Sequence, residues 1–145
     1  MNFKVVFIHL GYWIFLSFLC SCSPHSSEEF RQEGEGRCRR LITTLQKIEN
    51  RQQLLLAEPA LKKHFEKLID LMIEAREFQE KHEDIPNEST LEENSTTASL
   101  ELELRRIYMM EGGREIIERS QQEALVRLDA YEHARAKKRE FGKML

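Results

Sequence analysis

Apolar residues recur along this chain at steps of three and four, separated by short polar, glycine-bearing or proline-bearing breaks. From about Arg37 to Ala57, Leu41, Leu45, Ile48 and Leu55 fall at spacings of four, three and seven, which is one stripe of a helix that must bury that face. Pro59 lacks an amide hydrogen and its ring crowds the carbonyl four residues back, so the pattern predicts a break at Glu58-Pro59. A second helix then uses Leu61, Phe65, Leu68, Met72, Ala75 and Phe78, and fades at Lys81-His82. Between Glu83 and Ser99 the rhythm gives way to Pro86, Asn87, Ser89, Asn94 and Thr96, which predicts a polar loop near residues 83–97. From Ala98 to Phe141 it resumes, first with Leu100, Leu104, Ile107 and Met110, then with Ile117, Ala124, Leu128 and Tyr131. Gly112-Gly113 divides this stretch as a kink or a short link, since each glycine costs about 1 kcal/mol relative to alanine inside a helix.

No segment alternates apolar and polar residues long enough for a sheet, and only three prolines and six glycines occur, so the fold class is all-α. Unbroken, residues 37–82 and 98–141 would form two arms of about 69 and 66 Å. Broken at Pro59 and at Gly112-Gly113, they form an antiparallel helical bundle of three or four helices. The bundle is favoured, because Ile69, Leu71, Ile73, Met109, Ile116 and Leu125 widen the stripes beyond one seam. A long kinked helical hairpin or coiled coil, joined to a second copy as a homo-oligomer, is the alternative. Ile117, Ala124 and Tyr131, which repeat every seven residues, suit such a seam.

The N-terminus has a different character. Lys4 precedes an apolar run from Val5 to Leu19 that is broken only by His9, Gly11 and Ser17. As a helix this run spans about 22 Å, short of the roughly 30 Å of a bilayer core, so it reads as an export signal and not as a permanent span. Leu19, Cys20, Ser21 and Cys22 close it. The segment resembles the signal peptide and lipobox of bacterial lipoproteins, with Leu19 three positions before the acceptor, Ser21 just before it, and Cys20 departing from the usual small or β-branched residue. Cys20 is the less suitable acceptor, because Leu19 would then occupy the small-residue position. The resemblance covers residues 1–22 alone. It implies removal of residues 1–21, lipidation of Cys22, and attachment to a membrane of the bacterial cell envelope through that lipid. Ser23 after the acceptor, in place of an aspartate, implies the outer membrane facing the periplasm over the inner one.

Residues 22–36 contain a single aromatic, Phe30, among Ser, Pro, His, Glu, Gln and Gly, and read as a flexible tether to one helical domain over 37–145. With Cys20 removed and Cys22 occupied, Cys38 is the one free thiol. Its neighbours Arg37, Arg39 and Arg40 would lower its pKa if it were exposed. The chain has 22 basic and 25 acidic side chains, which argues against nucleic acid as a partner. Charge is unevenly spread. Glu74 to Glu103 carries ten acidic and two basic residues, whereas Arg127 to Lys143 carries six basic and three acidic. Within the latter, Arg135, Lys137, Lys138 and Arg139 are the candidate partner-binding residues.

No catalytic constellation is recognisable. His64, His82 and His133 fall in helical stretches but in no His-Glu-x-x-His run, and the one close pair, Asp129 and His133, offers only two ligands. No phosphate-binding glycine loop or Gly-x-Ser-x-Gly elbow occurs. Asn87-Glu88-Ser89 and Asn94-Ser95-Thr96 fit the glycosylation pattern, but with a bacterial-type signal they read as loop chemistry. The expectation is a lipid-anchored helical interaction module without a cofactor or metal, binding another envelope protein. A spacer lipoprotein is the alternative, and a small helical metal-dependent enzyme ranks third.

Overall fold

The computed structural model describes Pro24 and residues 26–82 and 95–143, with 141–143 described by backbone alone. The first helix, α1, spans Ser27–Gln46. Ser26 caps it, its hydroxyl accepting from the Glu29 amide at 3.2 Å. Residues 27–36, expected to belong to the tether, are therefore the first half of α1. Apolar surface is scarce there, and same-helix ion pairs supply local support: Arg31 with Glu28 and Glu35, Arg37 with Glu33, and Arg39 with Glu35.

α1 stops at Gln46, and a four-residue turn reverses the chain into α2, Arg51–Lys81. The turn-forming residue is Asn50, whose side chain accepts from the Gln53 amide at 3.0 Å, while Gln53 in return accepts from the Glu49 amide at 2.7 Å. The expected break at Glu58-Pro59 does not occur: Pro59 lies inside α2. Its ring is on the exposed face, while Leu54 and Leu61 on either side are fully buried and hold the helix to the core across the missing bond. Moving the reversal to 47–50 also changes the phase of the stripe. Leu54 takes the core position and Leu55, expected in it, is 45 % exposed.

α3 spans Ser95–Tyr108 and α4 spans Gly113–Lys143, so Gly112-Gly113 is a link between two helices. Gly112 has φ of 70°, a left-handed conformation that L side chains rarely adopt. Gly113 is required for a different reason, since a Cβ there would stand 1.9 Å from the Ile107 carbonyl oxygen. The polar loop expected near 83–97 falls mostly outside the described residues, and 95–97 form the first turn of α3.

These four helices form an all-α bundle with no strand among the described residues. α2 runs antiparallel to α1, with Phe30 against Phe78 and Thr44 against His64. α4 runs parallel to α2, and α3 leans on α1 while touching α4 only sparingly. Leu41, Leu45, Ile48, Leu54, Leu61, Phe65, Ile69, Ile107, Ile116, Ile117 and Ala124 form one core. Small residues face the core on α4: Ser120 and Ala124 are buried there, the Ser120 hydroxyl donating to the Ile116 carbonyl at 2.7 Å.

A ladder of opposite charges runs up the α2–α4 seam. Glu58 pairs with Arg119 at 2.5 Å, Lys62 with Glu123 at 2.6 Å and Asp70 with Arg127 at 3.0 Å, followed by Arg76 with Glu132 and Glu80 with Arg135. A slip of one turn in either direction would set Glu58 against Glu115 or Glu123 and Lys62 against Arg119 or Arg127. Each exposed pair contributes little to stability, so the ladder acts mainly to fix register and direction.

Candidate functional site

Because α3 is short and leans on α1, no helix among the described residues covers the outward side of α4. Leu125 and Val126 are 48 % and 62 % exposed on it, in a shallow hollow of about 520 Å³ that also takes in Glu118, Gln122 and Asp129. Beside it, between α2 and α4 at Pro59, lies a cleft of about 330 Å³ lined by Leu55, Glu58, Lys62 and Ser120. Arg119 and Gln122 border both. Arg119 and Gln122 thus stand between Leu55 on one side and Leu125 and Val126 on the other, beside the lower ion pairs of the ladder. Glu58 is held below the ordinary carboxylate range by its hydrogen bonds from Arg119, so it stays charged well into acid.

The proposed charged site is only partly available. Arg135 is half-buried and committed to Glu80, with Glu132 at 3.9 Å. Lys137, Lys138 and Arg139 are exposed, and Arg139 reaches Glu80 at 3.8 Å. Glu80 is in turn held below the usual range, chiefly by its hydrogen bond from Arg135. Cys22 lies outside the described residues.

Cys38 is half-exposed and unpaired. Burial pushes its thiol pKa up and the Glu35 carboxylate adds to the effect, opposite to the lowering expected from its arginine neighbours. Those arginines face carboxylates instead: Arg37 and Arg40 pair with Glu33, and Arg39 with Glu35.

The histidines do not converge. The Thr44 hydroxyl, which gives its proton to the Arg40 carbonyl at 3.0 Å, accepts from His64 Nε2 at 3.0 Å, so His64 spans the α1–α2 contact. His82 donates from Nδ1 to the Phe78 carbonyl at 2.9 Å and stacks on the Phe78 ring, closing α2. His133 and Asp129 are both exposed. Among the described residues no group of three or more His, Cys, Asp or Glu side chains is placed to hold a metal ion. No helix among them is long and apolar enough to cross a membrane.

Leu55 and Val126 were not legible as surface residues. Leu55 matched the core spacing, and Val126 adjoins Leu128, which matched it too, and Leu125, expected to widen the buried stripe. Comparison with protein-family models, with curated proteins and with solved structures finds no match for this chain.

Proposed function

We propose that this protein is a lipid-anchored helical interaction module, tied to a membrane of the bacterial envelope through Cys22 and binding another envelope protein through the outward face of α4. The carrying observation is the exposed pair Leu125 and Val126, with Leu55 in the adjoining cleft, on a side of α4 that no described helix covers. Its form suits a helix or strand of a partner: apolar and charged positions follow one another along the bundle axis, from Leu55 past Arg119 and Gln122 to Leu125 and Val126. A spacer would have no use for an apolar face kept in water, so this reading ranks above the structural one.

The test is photo-crosslinking in cells. A photoreactive residue at Val126 is expected to give one discrete adduct with an envelope protein, and the same residue at exposed Lys63, outside this face, to give none. Leu125→Asp with Val126→Asp should abolish capture without loss of helicity. Equal labelling from both positions, or none from Val126, counts against the reading.

A further inference from the structure

The start of α1, the end of α2 and the end of α4 lie at the same end of the bundle. Phe30 packs on Phe78 with ring centroids 5.4 Å apart, and Arg135 pairs with Glu80 one residue before α2 ends. α4 does not stop at that level. It continues from residue 136 to Lys143, about 12 Å of helix beyond the end of α2. On this overhang Lys137, Lys138 and Arg139 are exposed, and neither lysine makes an ion pair or hydrogen bond among the described residues.

Cys22 precedes the cap Ser26 by four residues, which extend to about 14 Å at most. A bilayer holding a lipid on Cys22 therefore lies within reach of the overhang, which points along the bundle axis toward it. We infer that the α4 overhang is a second membrane contact, in which Lys137, Lys138 and Arg139 rest on the phosphate headgroups of anionic lipids. This rests on the reading of Cys22 as the anchor.

Electrostatics favour a membrane over a protein for these residues. Near an anionic surface each basic side chain raises partitioning about fivefold, and the attraction fades within a Debye length, so projection beyond the rest of the bundle is what makes it effective. Behind the overhang Arg135 is already matched by Glu80. The attraction belongs to the projecting segment alone. Its structural consequence is orientation. α1 and α4 flank α2 and do not touch each other, so the two attachments stand up to about 20 Å apart and restrict tilting of the bundle. An upright bundle holds the Leu55–Val126 face roughly 15 to 40 Å along the axis from the membrane end, clear of the headgroups.

The full chain, purified from membranes, is reconstituted into vesicles of phosphatidylcholine alone or with about 30 mol% phosphatidylglycerol, then floated and digested with trypsin. The protein should float with both. Cleavage at Lys137, Lys138 and Arg139 should slow at least fivefold on the anionic vesicles, the difference should vanish at about 1 M salt, and cleavage at exposed Lys47 in the distal turn should not change. Flotation with both and equal cleavage of the overhang would overturn the inference while leaving the anchor standing. Salt-sensitive flotation with anionic vesicles only would support the overhang and remove the anchor. Flotation with neither would remove both.

Discussion

The guanidinium of Arg106, on α3, donates to the carbonyl oxygen of Leu45, the last buried residue of α1, at 2.7 Å. Its second terminal nitrogen donates to Ile48 at 2.7 Å, and its Nε bonds to Glu103 at 2.8 Å. One side chain thus gives the Leu45 carbonyl a further donor beside the Ile48 amide at 3.0 Å, serves the Ile48 carbonyl, and ties α3 to the reversal into α2. Arg106→Met should destabilise the domain by about 2–3 kcal/mol, since a charged donor is lost and partly buried carbonyls are left without it. Arg106→Lys, which offers no planar fork, should recover less than half of that. Urea denaturation followed by circular dichroism reads both.

At the α3–α4 link the order of severity is set by sterics and not by φ. Gly112→Ala meets a left-handed backbone and should cost about 1–2 kcal/mol. Gly113→Ala drives a methyl into the Ile107 carbonyl and should cost about 3 kcal/mol or more. Thermal melts of the two variants should rank Gly113→Ala lower.

Pro59 leaves the Leu55 carbonyl without its helical donor, and the pairs Glu58–Arg119 and Lys62–Glu123 bracket the gap. Pro59→Ala restores that donor and should stabilise the domain by about 1–3 kcal/mol. Hydrogen exchange should show the gain concentrated over residues 55–63.

Acid should weaken the fold in two stages. The His64 pKa is lowered below its ordinary 6.5 by burial first, then by Lys67, Arg40 and Lys63. The unfolded chain therefore takes up the proton more readily. The stability this ring contributes is whole above about pH 6.5 and is lost as pH falls through that value toward the folded pKa. Glu28, lowered to about 2 by its hydrogen bond from Arg31, and Glu33, Glu58 and Glu80, lowered by Arg37, Arg119 and Arg135, follow later. Their contribution is whole above the ordinary 4.5 and goes as pH drops through their folded values. His64→Gln should remove the first stage, seen as a urea midpoint that no longer shifts between about pH 7.5 and pH 5.5.

The helical class was legible in the three-four rhythm, and Leu41, Leu45, Leu61, Ile107 and Ile117 are buried as it requires. Boundaries were not. Pro59 drew the break because its local cost is large, whereas tertiary burial of Leu54 and Leu61 outweighs that cost. The true reversal was marked by Asn50 followed by Gln53, and the true start of α1 by Ser26 followed by Glu29, both capping signatures. The α4 face was hidden for a further reason: which stripe residue stays wet depends on α3 being too short to cover it, and sequence periodicity carries no such information.

The proposed anchor at Cys22 underlies both the proposed interaction module and the inferred orientation of the bundle, and the intact mass of the chain extracted from membranes tests it most directly. The expected species begins at Cys22 and carries a diacylglyceryl group on its sulfur, and Cys22→Ser should lose that mass and its membrane attachment together. A membrane-derived chain that begins at Met1, or at any residue other than Cys22, would contradict the account.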